Sequence, residues 1–291
     1  MSAEVRPAVS TDIDAICHLL HTKMNPKIPL MRWYNLMNYR WIDDIPDYGR
    51  VVDFEGQVLG YCGMVYADRT IDRPPSDKRN ERVVSMTSWY LDKSLRGKGL
   101  GAAMLIDCTS NTEMTYATLT NSAKPLHIQE KIGFRVLEDH RFLWHKIKTP
   151  DPALTIISET SEIIDKATED QRKILKDMAE QPLKPLMFET DSMRSLLLLS
   201  IKRKHQEITW FDVMYTSNFE HFTAYAQLLA NALLEESKSV LAADGRFVVG
   251  KPSTARKESL PVPRFYYSSR MEPHEVDNLY SELQLLDLKL D

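Results

Sequence analysis

Glycine is scarce in this chain, ten among 291 residues, and cysteine is scarcer still, at three. Cys17, Cys62 and Cys108 are scattered and odd in number. Neither a disulfide framework nor a metal-ligand spacing follows, no metal site is expected, and reduced thiols in a cytoplasmic protein are the plain reading. Long apolar runs are also missing: Leu196 to Leu199 with Ile201 ends at Lys202-Arg203-Lys204. That is far short of the roughly 20 residues that span a bilayer, so no membrane partner is expected. Residues 1–11 hold no basic segment followed by an apolar stretch, so no signal peptide is expected either. An excess of positive charge is absent. The net charge is −4, residues 1–150 are close to neutral and residues 151–291 are acidic, which argues against nucleic acid as the main partner. No internal sequence repeat and no low-complexity tract is visible.

What is present is the composition of a globular protein, 43% hydrophobic and 27% charged, long enough for one large domain or two ordinary ones. Pro150 and Pro152 suggest a division into residues 1–148 and 149–291. In the first part, Val5–Ala8 reads as a short strand. Ser10 to Asp14 reads as a capped helix start, with Ile13, Ile16, Leu19 and Leu20 on one face. Residues 30–42 read as a second helix. Val51–Phe54 and Val58–Val65 flank a turn at Glu55-Gly56-Gln57, a loop spans residues 73–78, and Arg82–Leu91 is a further strand. Leu100, Ala103, Met104 and Cys108 share a helical face. Tyr116–Thr120 is a strand, Lys124–Ile132 a helix closed by Gly133, and Phe134–Trp144 a last strand. This order predicts an α+β sandwich, with a mixed, mostly antiparallel central sheet and flanking helices. In the second part, residues 158–180 and 186–204 read as helices. Strands at 208–217 and 239–250 enclose a helix at 219–237, residues 251–263 form a polar loop, and 273–286 a final helix.

Three of the ten glycines, Gly97, Gly99 and Gly101, fall within five residues between a strand and an amphipathic helix. A helix N-terminus offers unpaired N–H groups and partial positive charge, which suits a phosphate. Glycine lets the backbone come close to the oxygens, and Arg96 and Lys98 add charge beside it. A simple tight turn would not need three glycines. A Walker loop fails because no Ser or Thr follows Lys98. The dinucleotide fingerprint is formally matched by Gly97, Gly99 and Ala102. Its context is wrong, because residues 92–96 separate strand from glycine and Tyr116–Asn121 ends without an acidic residue for the ribose. The remaining pattern, R-x-x-G-x-G followed by alanine, is matched by Arg96, Gly99, Gly101 and Ala102.

At this loop the sequence resembles the GNAT (Gcn5-related N-acetyltransferase) superfamily. Leu91 through Leu105 resembles that family's cofactor motif, Lys131-Ile132-Gly133-Phe134 its K-x-G-F, and Asn121 its strand-end asparagine. Arg6-Pro7-Ala8 with Asp12 and Asp14 resembles its opening, so the likeness covers residues 5–148. It implies transfer of an acetyl or longer acyl group from acetyl-CoA or another acyl-CoA to an amine of a small molecule or amino sugar. The pyrophosphate would rest on Arg96, Gly97, Lys98, Gly99, Leu100, Gly101 and Ala102. The pantetheine arm would lie along Trp89, Tyr90 and Leu91 near Asn121, and a backbone N–H there would polarise the thioester carbonyl.

Catalytic residues are less legible. The family's acidic tyrosine, five residues before the G-F phenylalanine, is Gln129 here, and its strand carboxylate is replaced by Ser85, Met86, Thr87 and Ser88. Tyr116 and Tyr90 are the candidate hydroxyls. The alternative reading is a non-catalytic acyl-CoA-binding or regulatory protein of the same fold. Residues 208–249 repeat the strand–helix–strand rhythm of the cofactor half, with Thr216-Ser217-Asn218 where glycines would be needed. The second part therefore reads as either a degenerate GNAT-like half or an unrelated α/β lobe. As a degenerate half it would shape the acceptor site or form a homodimer interface.

Overall fold

The computed structural model describes residues 3–73, 77–123, 126–147, 154–190, 193–204, 207–235 and 238–290. Two compact units are present. The first comprises Met1–Leu137, Arg264–Val276 and Tyr280–Leu288; the second comprises Glu138–Pro263, Asp277–Leu279 and Lys289–Asp291. Pro150 and Pro152 lie outside the described residues.

The first unit runs β1 (Glu4–Pro7), α1 (Ile13–Leu19), α2 (Leu30–Asn35), β2 (Gly49–Phe54), β3 (Gln57–Arg73), β4 (Asp77–Leu91), α3 (Leu100–Cys108), β5 (Thr115–Thr118) and α4 (Leu126–Ile132). Its sheet is ordered β1-β2-β3-β4-β5, antiparallel throughout except for the parallel β4/β5 pair. The sixth position is taken by residues 265–267, which pair antiparallel with β5 through Phe265–Thr118, Ala117–Tyr266 and Tyr116–Tyr267. The Arg6 guanidinium binds Asp12 at 2.7 Å and Asp53 at 2.8 Å, tying the strand to the turn before α1 and to β2. Met104, Leu105 and Cys108 are the buried residues of α3, and they meet Val52, Cys62, Met64 and Met86 of the sheet in one core cluster.

The second unit contains the end of β6 (Arg135–Trp144), then β7 (Thr155–Ile157), α5 (Thr160–Lys166), α6 (Glu169–Asp177), β8 (Lys184–Glu189), β9 (Arg194–Lys204), β10 (Ile208–Thr216), α7 (Phe219–Leu233), β11 (Ser239–Asp244) and the start of β12 (Arg256–Tyr267). Its strand pairing repeats that of the first unit. β7/β8, β8/β9 and β9/β10 are antiparallel, β10/β11 is parallel, and β11 pairs antiparallel with residues 141–144 of β6. Each unit thus has the same order of strands, and each takes its sixth strand from the other half of the sequence. The mixed, mostly antiparallel sheet with helices packed on it is the architecture expected from the sequence, and the second part is a second copy of it.

Several local expectations are corrected. Residues 186–204 are not a helix but parts of two strands, β8 and β9. Leu196, Leu197, Leu198 and Leu199 are all at most 1% exposed. Consecutive burial of this kind belongs to a central strand covered on both faces, which a short apolar run cannot reveal. Residues 158–180 split into α5 and α6, because the chain turns extended at Ala167 and Thr168 caps the next helix, accepting a hydrogen bond from Gln171 N. The expected polar loop at 251–263 is partly strand β12, despite Pro261 and Pro263, because pairing with a neighbouring strand outweighs weak β-propensity. The second helix stops at Asn35, and the last stretch holds only the short α8 (Glu282–Leu285).

Candidate active site

Strands β4 and β5 are neighbours only at Val83–Thr115, Val84–Tyr116 and Ser85–Ala117. Beyond Ser85 they part, and a cavity of about 240 Å³ opens in the first unit. Met86, Thr87, Ser88 and Trp89 line it from one strand, and Thr118, Thr120 and Asn121 from the other side. Gln129 of α4 and Leu286 and Leu288 of the C-terminal segment also line it, with Trp33 of α2, Leu105 of α3 and residues between α1 and α2.

A β-bulge shapes the β4 wall. Thr87 faces Gly63 and Tyr90 faces Tyr61, so Ser88 and Trp89 together oppose the single residue Cys62. Ser88 sits at φ +54°, a left-handed conformation that costs a non-glycine residue of order 1 kcal/mol. A bulge leaves a residue out of the ladder and turns it toward whatever lies beside the strand; here that is the cavity. Tyr90 and Leu91 return to the ladder opposite Tyr61 and Gly60.

The glycine loop follows directly. Asp92 accepts hydrogen bonds from Ser94 N and Ser94 Oγ, which hold its carboxyl below the usual range and close a single turn. Gly97 and Gly99 have φ of +79° and +80°, and Gly99 is the N-cap of α3 with no side chain closing the helix end. A Cβ at either glycine would meet no atom within 4 Å, so it is the backbone angle, not crowding, that demands glycine here. A Cβ at Gly101 would come 3.7 Å from the Trp89 ring, which places the loop against the cavity wall. Arg96 donates from Nε to Leu91 O at 2.9 Å and lies over the Tyr90 ring at 5.8 Å. Arg96 and Lys98 are exposed, and neither forms an ion pair among the described residues. The result is an open helix N-terminus, with Leu100, Gly101 and Ala102 in its first turn, flanked by two cations.

The polar side chains of the cavity form chains. Gln129 Nε2 donates to Asn121 Oδ1 at 3.1 Å, Asn121 Nδ2 to Thr118 Oγ1 at 3.0 Å, and Thr118 Oγ1 to Phe265 O at 3.3 Å. Gln129 is 2% exposed, yet its Oε1 has no partner among the described residues. Thr87 and Ser88 hydroxyls lie 3.1 Å apart. From the lining, Thr120 Oγ1 donates to Glu282 Oε1 at 2.7 Å, and behind it Ser85 Oγ donates to Glu282 Oε2 at 2.6 Å. Glu282 is fully buried, and burial pushes its carboxyl above the ordinary range against the pull of the two hydroxyls and of Arg264.

Of the residues singled out in the sequence, Trp89 and Asn121 line the cavity, and Arg96 to Ala102 form the open loop beside it. The two tyrosines do not line it. Tyr116 is buried with its hydroxyl on Asn111 O at 3.0 Å, and burial pushes that hydroxyl up to about 12, so it is held as a core group. Tyr90 is paired with Tyr61 in the ladder and covered by Arg96. Sequence reasoning had no signal for Glu282, which lies 162 residues from Thr120 along the chain.

No protein-family model and no curated protein matches this sequence. Solved structures do match. A GCN5-related N-acetyltransferase from Anabaena variabilis superposes with a TM-score of 0.56 at 9% identity, across 91% of this chain and 72% of that one. Another from Kribbella flavida superposes with a TM-score of 0.53 at 8% identity, across 91% and 70%. The chain has the GNAT fold. Within that fold, the second unit departs at the loop: Asn218 Oδ1 accepts from His221 N at 2.8 Å and closes the N-terminus of α7, where Gly99 leaves that of α3 open. Of these two corresponding helix ends, that of α3 is the one left open.

Proposed function

We propose that the chain is an acyl-CoA-dependent N-acyltransferase. The observation that supports this best is the conjunction, in one unit, of a parted β4/β5 pair, a bulge at Ser88-Trp89 and an uncapped α3 flanked by Arg96 and Lys98. A gap between parting strands accepts an extended arm as an added strand, pairing through backbone groups. The first-turn N–H groups of α3, with Arg96 and Lys98, are matched to a pyrophosphate. The backbone N–H of the bulged residues is matched to the thioester oxygen, where negative charge develops on attack. Positioning an amine against that carbonyl supplies most of the remaining advantage through proximity. On this reading the acceptor is an amine of a small molecule or amino sugar, as the family resemblance implies.

The test has two parts. Acetyl-CoA at a hundredfold excess over its dissociation constant should stabilise the native state by about 2.7 kcal/mol, read as a rise in melting temperature, while NAD should give none. Free CoA thiol should then appear when acetyl-CoA is mixed with a panel of primary amines and amino sugars. The second reading, an acyl-CoA-binding protein without turnover, is favoured by Gln129 standing where the family resemblance calls for tyrosine. Binding without thiol release from any amine would select it.

A further inference from the structure

The first unit holds a buried acid that the acyltransferase reading does not yet use. Glu282 is 0% exposed, and both carboxyl oxygens are held by hydroxyls, Oε2 by Ser85 of β4 and Oε1 by Thr120 just beyond β5. These two strands are the ones that part to form the cavity, and Thr120 lines it. The same C-terminal segment contributes Leu286 and Leu288 to the cavity wall. That segment is anchored independently of Glu282. Asn35 Nδ2 donates to Leu285 O at 3.1 Å, Arg32 meets Asp287 at 3.3 Å, and Arg69 lies over the Tyr280 ring at 4.6 Å. A buried carboxylate is costly unless something compensates it, and here two hydroxyls and Arg264 do so, one of the hydroxyls belonging to a cavity-lining residue.

We propose that Glu282 is the proton-accepting end of a two-member relay whose other member, Thr120, meets the acceptor amine in the cavity. The proposal rests on the acyltransferase reading above. The amine nitrogen forms its bond to the thioester carbonyl carbon and becomes positively charged. Its proton passes to Thr120 Oγ1 as the threonine proton passes to Glu282 Oε1. The C–S bond breaks with its electron pair on sulfur, and the thiolate takes a proton from solvent. Glu282 returns its proton outward through the same hydroxyl, so atoms and charge balance over the cycle. Thr120 is the group that touches the substrate, and Glu282 acts through it. The charged and titratable surroundings favour this use. Arg264 is the cation acting on Glu282 and keeps the carboxylate form accessible, while burial raises the carboxyl above its ordinary value and so makes it the stronger base. Ser85 lowers it again by donating to the charged form.

The experiment follows CoA release against pH, over roughly pH 5 to 9, for the full chain and four variants, with CoA affinity measured separately. Thr120→Val should lower kcat/KM by about a hundredfold or more and abolish the acid limb of the profile that Glu282 sets, while Thr120→Ser restores both. Glu282→Gln should lose the same limb. Ser85→Ala removes a donor from the carboxylate without cutting the relay, so its acid limb should move to higher pH. Deprotonation of the amine itself contributes equally in every variant and cancels in the comparison. A purely structural Glu282, tying the C-terminal segment to β4 and β5, would lower the melting temperature of these variants and leave the profile in place. If Glu282→Gln does not fold, the Thr120 pair and Ser85→Ala carry the test. Wild-type pH profiles in Thr120→Val and Ser85→Ala overturn the relay while leaving the acyltransferase reading intact. Absence of thiol release from the wild type with every amine overturns both.

Discussion

Gln129 Nε2 donates to Asn121 Oδ1 at 3.1 Å, joining helix α4 to the end of β5 across the back of the cavity. The side chain that replaces the expected tyrosine is thus an anchor for the strand-end asparagine, and its Oε1 remains a buried acceptor facing no donor among the described residues. An amide cannot deliver a proton to a leaving thiolate, so Gln129→Ala should lower kcat by less than about a hundredfold. The loss should fall mainly on KM, because Asn121 of the cavity wall loses the amide that holds it. Initial rates of CoA release with varied amine check this. A larger fall in kcat at unchanged CoA affinity would contradict it.

Gly99 caps α3 at φ +80°, a conformation open to glycine and resisted by β-branched residues. Gly99→Val should therefore abolish acetyl-CoA binding while the apo protein keeps its circular dichroism spectrum. Since nothing lies within 4 Å of a Cβ at this position, the loss would come from the redirected N–H groups and not from collision with protein. Titration calorimetry with unchanged affinity would reduce the loop to a turn.

Arg6 donates to Asp12, and that hydrogen bond is the main reason the Asp12 carboxyl is held below its ordinary range. A carboxylate depressed in the folded state adds stability above the unfolded value of about 3.9, and this is lost as pH falls toward the folded value. Asp12→Asn should cost about 2 kcal/mol at neutral pH, the size of a hydrogen bond to a charged group, and the cost should shrink in acid. Urea midpoints at both pH values measure it. A cost independent of pH would show that charge plays no part.

His221, buried at the start of α7, has its Nδ1 2.7 Å from Ser195 Oγ and stacks on Phe188. Burial lowers its pKa, so the folded state holds it neutral. The unfolded chain binds the extra proton below about pH 6.5, so stability is complete above that value and declines as pH falls toward the lowered folded value. Relative to His221→Gln, the wild type should lose more stability between about pH 7.5 and 5.5. Parallel denaturation curves across that interval would remove the basis for this assignment.

The part of this protein legible in its sequence is the part written in local chemistry. The order of strands and helices in residues 5–144 could be read because turns, caps and alternation signal themselves over a few residues. The loop Arg96 to Ala102 could be read because three positions in a glycine-poor chain need unusual backbone freedom or close approach. Asn121 could be placed through the family resemblance, as its strand-end asparagine, and it lines the cavity. Leu196 to Leu199 misled, since four consecutive leucines look alike on a helix and on a strand buried on both faces, and only the neighbours β8 and β10 decide between them. Tertiary structure alone gave Tyr116 to the core, turned Ser88 and Trp89 toward the cavity, and exchanged the sixth strand of each unit. It also brought Glu282 to Ser85 and Thr120. Those groups lie 197 and 162 residues from it along the chain. A hydrogen bond across such a span leaves no periodicity or spacing behind; it exists only where folding has brought distant backbone together.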